Sequence, residues 1–179
     1  MSFADLAIKY KLVVETLNAN RAQEAVIIAT EATLLARRRI QIDKKNAEGS
    51  KFGDYSQAVV PQTYFYKRAL SQGAIDRMKN QYPYFISYKD AREANNLPTD
   101  AIDFTYSGEM LRNTGVTSVQ QQEATVTVNV GGQTDEAAKK LGYQNNRFGN
   151  ILTLNQQEKD LVTQANIERV LRTINEILG

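Results

Sequence analysis

The residues nearest to a chemical motif in this chain are Ser107 and Gly108, within Tyr106-Ser-Gly-Glu-Met-Leu111. A serine on a tight turn is the start of a nucleophile elbow, but that motif needs a second glycine and a histidine base. The second glycine is missing and the chain has no histidine. A Ser–Lys dyad stays open, though nothing specifies one. Turn chemistry favours an architectural role, with Ser107-Gly108 joining a strand to a short helix. Val130-Gly-Gly-Gln133 has neither the spacing nor the lysine of a phosphate-binding loop, so a hairpin turn is expected there. Asp90, Glu93, Asp100 and Asp103 are scattered over an expected loop rather than set at calcium-loop positions. Glu109 with Asp103 is the carboxylate pair a small hydrolase could use, without a recognisable acid-pair spacing. No catalytic, cofactor-binding or metal residue is expected.

Composition narrows the classes further. The 179 residues suit one domain with a real core. Twenty-two Lys and Arg against 20 Asp and Glu leave a net charge of +2, so no strong field dictates a nucleic-acid partner. With no cysteine, disulfides and thiolate metal sites are excluded. Met1 leads into Ser-Phe-Ala-Asp-Leu6 without a basic segment and apolar run, so no signal peptide is expected. No window approaches the ~20 apolar residues that span a bilayer. A soluble protein made in a cytoplasm is the expectation.

Periodicity predicts the elements that must position these residues. Residues 1–45 read as helical: Leu6, Val13 and Leu17 share one face, and Ala25, Ile28, Ala32, Leu35 and Ile42 recur at helical steps. Asn20 with Gln23 could cap a second helix beginning at Arg21, so one bent helix or two are both compatible. Residues 46–100 read as Tyr-rich loops and short helices, including a helical turn over Asp90–Asn96 that stops before Pro98. Residues 101–154 read as strands and turns. There Thr125–Val130 alternates strictly, with Val126, Val128 and Val130 inward and Thr127 and Asn129 outward. Gly131-Gly132 is expected to turn the chain, Ile102–Tyr106 and Gly115–Val119 are weaker strand candidates, and Ala137–Leu141 a short helix. Residues 155–179 form a final helix behind an Asn155/Glu158 capping box. The fold class is therefore α+β: a single domain whose long N-terminal helix and C-terminal helix pack on a small, mainly antiparallel sheet.

Two residue groups suggest contact surface. Arg37, Arg38 and Arg39 fan across about 200° of a helix, so only part of the cluster can face one acidic partner or DNA. Nine Tyr and six Phe without Trp concentrate between Tyr55 and Tyr106. Tyrosine suits places where one end is buried and the other wet, which marks Tyr55, Tyr84 and Tyr88 as interface candidates beside Thr127 and Asn129.

The ordered segments resemble the tail-completion and head–tail neck proteins of tailed bacteriophages, a family often labelled virion morphogenesis proteins. A helix ending Arg37-Arg-Arg-Ile40 runs into a loop with Gly49, Phe52 and Tyr55-Ser56, and Thr63 to Lys67 resembles the family's next element, Thr-x-x-x-Lys. Ser107-Gly108-Glu-Met-Leu111-Arg112-Asn-Thr114 is similar to a Thr-Gly-x-Leu-Arg-x-Ser motif. Arg147-Phe148-Gly-Asn-Ile-Leu152, before Glu158, is similar to the Arg-Pro-Phe-Leu-like element ahead of the last helix; the family's preceding proline is replaced by Asn145-Asn146. The resemblance implies a virion structural protein at the head–tail junction, either neck protein or tail terminator, assembled in the host bacterial cytoplasm. It also implies a hexameric or dodecameric homo-oligomeric ring that contacts portal or adaptor and tail tube and passes DNA through its lumen, with no cofactor and no membrane. A carboxylate-dependent phage hydrolase and a non-virion assembly chaperone or adaptor are the alternatives.

Overall fold

A computed structural model of the chain describes residues 2–61, 76, 85–94, 96–104, 108–123 and 125–179. Helix α1 spans Phe3–Arg38, 36 residues without a break. It starts in a capping box that the sequence reading missed: the Ser2 hydroxyl accepts from the Asp5 amide at 3.1 Å, and the Asp5 carboxylate accepts from the Ser2 amide at 2.9 Å. Asn20 caps nothing. It sits exposed within α1, where neither proline nor glycine interrupts the ladder.

Helix α1 ends in one wide π turn, Arg39–Asp43, closed by Lys44 in the left-handed conformation. Such a turn inserts a residue into the helical count and rotates the residues beyond it by roughly 100°. The expected stripe is corrected at this end: Ile42 is 68 % exposed, and Ile40, on the face of the buried Thr33 and Ala36 at i+7 and i+4, is fully buried in its stead. Leu6, Val13 and Leu17 do face inward, with Val13 the buried one.

Past a turn held by Asn46, whose carbonyl accepts from Gly49 and whose amide donates to Ser50, the chain forms strand β1 (Val59–Pro61). It pairs antiparallel with β2 (Phe85–Ser87). Helix α2, Tyr88–Ala94, comes directly after β2. The Ser87 hydroxyl at its start donates to Asp90 Oδ2 at 2.6 Å and accepts from the Asp90 amide at 3.1 Å. Helix α3 is a single turn, Glu109–Arg112.

Strands β3 (Thr114–Gln121) and β4 (Val126–Gly132) form the main hairpin. Their register runs from Thr114 opposite Gly132 to Gln121 opposite Val126, with a bulge between Val116 and Ser118. Val126, Val128 and Val130 are half-buried while Thr127 and Asn129 are exposed, so the alternation holds. Gly131 and Gly132 are strand residues rather than a turn, which corrects the expected hairpin there; the chain reverses at Gln122–Thr125 instead. Glycine is required at Gly132 because a Cβ would lie 2.2 Å from the Ala138 amide nitrogen. The next helix, α4 (Asp135–Phe148), is capped by Thr134 and runs well beyond the short helix expected at Ala137–Leu141. Of the Ile102–Tyr106 strand candidate, the described part is non-strand chain, with Phe104 at φ 56°.

Helix α5, Gln156–Leu178, begins with the expected Asn155/Glu158 capping box. Helix α1 packs on the β3–β4 hairpin and along α5. The fold is a small α+β domain with long terminal helices and antiparallel strand pairs. Its core gathers at one end of α1: Ile40, Phe52, Tyr55, Ile102, Met110, Leu111, Leu141 and Ile151 form one cluster. Burying side chains of this size stabilises a fold by about 1.5–3 kcal/mol each.

Candidate assembly surface

Two buried polar knots hold the loops of this core. In the first, Asp103 receives Arg92 Nη2 on both oxygens at 3.1 Å. The Tyr55 hydroxyl donates to Asp103 Oδ1 at 2.7 Å and accepts from the Asp103 amide at 3.0 Å. The Arg92 guanidinium also stacks 4.2 Å from the centre of the Tyr55 ring. Burial, aided by the bond to Asp103, pushes the Tyr55 phenol well above its ordinary pKa. In the second, Arg39 meets Glu158 at 2.9 Å and donates to the carbonyls of Lys45 and Thr153. Neither arginine is available to an outside partner.

These knots correct two expected interface positions. Arg39 and Tyr55 are buried inside the chain, where Arg39 pairs the buried Glu158 and Tyr55 bonds the Asp103 carboxylate that Arg92 also holds. The other arginines diverge as their angular spread requires. Arg37 is half-buried, with its guanidinium pushed down by burial, and donates to the Arg112 carbonyl at 3.4 Å. Arg38 is exposed. Tyr88 is half-buried with its ring 5.6 Å from that of Tyr55. Thr127 and Asn129 stay on the outer face of β4, where Asn129 Nδ2 donates to Ser118 Oγ at 2.8 Å. Tyr84, Ser107 and the Thr63–Lys67 segment lie outside the described residues.

The family-like segments converge on the core. Gly108 takes φ 66° as the cap of α3, which suits glycine, and so delivers Leu111 to the core. Phe148 packs edge-on to Phe104 and Phe52, at 5.4 and 5.9 Å. Arg147 covers the Phe148 ring at 4.9 Å, while Arg112 is exposed at the end of α3. Arg147 and Phe148 are the last two residues of α4. The two carboxylates of the hydrolase alternative have separate roles: Asp103 sits in the Arg92 knot, and Glu109 is exposed and faces Lys140 at 3.5 Å. Among the described residues, no group of three or more acidic side chains is placed to hold a metal ion. No described helix is long and apolar enough to cross a membrane.

The surface that sequence reading missed is apolar and helical. Phe3, Tyr10 and Val14 are exposed on α1, with Ala7 between them at helical steps; Ile8 and Leu12 are exposed on another side of the same helix. On α5, Leu161, Ile167 and Leu171 are exposed. An apolar groove of about 410 Å³ runs between the helices, lined by Leu34, Leu35, Leu161, Val162 and Ala165 together with Glu31 and Arg38. The available signal was that residues 3–14 are apolar around several faces, beyond what one stripe needs. Arg169, on the inner side of α5, ties the two helices through Glu24 at 3.1 Å and Glu31 at 2.8 Å.

Comparison of the chain with family models, with curated proteins and with solved structures finds no match.

Proposed function

We propose that this chain is a structural ring subunit of a tailed-phage head–tail junction, acting as a neck protein or tail terminator. Its work is geometric: copies pack side by side, loops dock on portal or adaptor above and tail tube below, and DNA passes through the lumen. The observation that carries the reading is the exposed apolar surface of α1. At 1.5 Å per residue its 36 residues extend about 54 Å. Helix α5 runs beside it in the opposite direction as far as Leu178, whose carbonyl accepts from Lys9 Nζ at 2.9 Å. Phe3 is 89 % exposed and Val14 58 %. Apolar residues gathered on the outer side of one long helix mark a surface that a neighbour can cover.

The ordered motif set supports the same reading, since Leu111 and Phe148 anchor one core and leave Arg112 and Arg147 outside it. The hairpin adds a second contact element. Among the described residues β3 and β4 pair only with each other, so each has an edge that a neighbouring strand can extend. The hydrolase alternative is disfavoured by the ion pair that occupies Asp103.

The test is the particle. Mass spectrometry of purified virions should find the protein, and negative-stain images of particles labelled at this chain should place the label at the junction. A protein required for assembly but absent from finished particles is the chaperone alternative and sinks the ring reading.

A further inference from the structure

We infer that the outer edge of β4 receives the outer edge of β3 from a second copy, so that the hairpins of neighbouring subunits join into one continuous sheet. The inference rests on the ring reading and names the surface that joins the subunits.

The backbone pattern shows which groups are available. Gln122 and Thr125 exchange both backbone hydrogen bonds at the hairpin turn. Opposed residues in an antiparallel pair alternate between bonded and unbonded positions. Gln121 and Val126 are therefore an unbonded pair, Gln120 and Thr127 a bonded one, and Val119 and Val128 unbonded again. The amides and carbonyls of Val119 and Gln121 point off the outer edge of β3, and those of Val126 and Val128 off the outer edge of β4. Among the described residues none of these groups has a backbone partner. Folded monomers protect such edges with charge, proline or a bulge. Neither strand holds a charged residue or a proline, and the bulge between Val116 and Ser118 leaves residues 118–121 regular. The turn is also held in place, because Arg21 on α1 donates to the carbonyls of Gln122 and Glu123.

The two edges differ, and the difference selects the pairing. Val128 and Val130 line a cavity of about 320 Å³, part open to solvent, whose other walls come from α1, α4 and residues 150–154. Among the described residues no member of β3 lines it, so it lies on the β4 side of the hairpin. A strand added to β4 lies about 4.8 Å away and turns alternate side chains to the face of Val128 and Val130, over this cavity. Strand β3 has a matching side chain. Val119 stands opposite Val128 and shares its face, yet it is 42 % exposed. Each copy thus has an apolar side chain to cover on one edge and unfilled space beside the other. Pairing β4 with β4 of a second copy leaves both Val119 side chains in water, and pairing β3 with β3 leaves both cavities unfilled. Only β4 against β3 uses both. The added β3 then runs antiparallel to β4, as its own β3 does, and every copy gives one edge and takes another. Such a contact between unlike patches closes into a ring when its rotation permits.

Hydrogen exchange, light scattering and incorporation into particles test the joint. In the monomer the amides of Val119, Gln121, Val126 and Val128 should exchange fast, and those of Gln120 and Thr127 slowly. In the assembled protein the Val119 and Val128 amides should both slow by about tenfold or more. Val119→Pro removes an amide that bonds to nothing inside the chain, so it should melt close to the parent yet neither assemble nor enter virions. Gln120→Pro, which removes a bonded amide, should melt well below both. Val119→Lys, a charge on an exposed edge position, repeats the test if the proline variant melts abnormally. Slowing at Val128 alone shows β4 pairing with itself, slowing at Val119 alone shows β3 pairing with itself, and either overturns the inference. An oligomer whose edge amides exchange as in the monomer overturns it and leaves the ring reading standing. Where the parent stays monomeric at every concentration, the particle decides. Val119→Pro or Val119→Lys chains present in virions at the parent's level overturn the inference alone, and a parent missing from virions removes the ring reading with it.

Discussion

Arg39 and Glu158 form a buried ion pair, Nε to Oε1 at 2.9 Å, that ties the end of α1 to the first turn of α5. The second Glu158 oxygen accepts from the Asn155 amide at 2.9 Å and completes the α5 cap. Removing one partner strands the other as a buried charge, which typically costs about 3–5 kcal/mol. Arg39→Met should therefore lower the urea-unfolding free energy by that amount. Arg39→Met with Glu158→Leu should lose clearly less than the sum of the single changes. Additive losses in that cycle would mean the two side chains act independently.

Tyr55 is held by Asp103 and Arg92. Tyr55→Phe leaves a buried carboxylate oxygen and a buried amide short of a partner, and should cost about 1–3 kcal/mol in the same assay. The phenol adds a pH signature. Its pKa is raised in the folded chain, so the folded state keeps a proton that the unfolded chain releases near the ordinary value of about 10. Stability is complete below that value and declines as pH rises through it, by at most about 1.4 kcal/mol per pH unit for this group. Urea midpoints measured from about pH 9 upward should fall less steeply for Tyr55→Phe than for the parent. Equal slopes would show that Tyr55 ionises normally in the folded chain.

Val128 faces α1 across a cavity of about 320 Å³ shared with Ala29, Ala32 and Thr33, while Thr127 is exposed. Val128→Asp sets a carboxylate against an apolar helix face and should destabilise by about 2 kcal/mol or more. Thr127→Asp should stay within about 0.5 kcal/mol. Thermal melts of the two variants separate them, and the reverse order would mean that the strand is shifted by one residue.

Gly132 and Gly142 should respond oppositely to alanine. At Gly132 a Cβ meets the α4 backbone at 2.2 Å, so the hairpin or the helix must move. Inside α4, a Cβ at Gly142 meets nothing within 4 Å. Gly132→Ala should lower the melting temperature. Gly142→Ala should raise stability by roughly 0.5–1 kcal/mol through helix propensity and a less disordered unfolded chain. A neutral Gly132→Ala would show that the contact between the end of β4 and α4 is loose.

The sequence by itself determined the features that local spacing controls. The Asn155/Glu158 box was legible because a cap and its partner are three residues apart, and the β4 alternation because successive strand residues point to opposite faces. The α+β class and the long terminal helices came from the same periodicities. Tertiary structure alone decided the rest. Ile40 stands in the core in place of Ile42 because the packed face at this end of the helix is that of Thr33, Ala36 and Ile40, and which of two neighbouring faces is covered depends on what the fold brings against it. Arg39 looked like part of a basic surface cluster until α5 brought Glu158 to it across 119 positions of chain. Gly131-Gly132 read as a turn, yet the approach of α4 explains why Gly132 lacks a side chain. Burial of a charge, and the need for glycine where another backbone approaches closely, depend on partners distant in sequence, and only the folded chain brings them together.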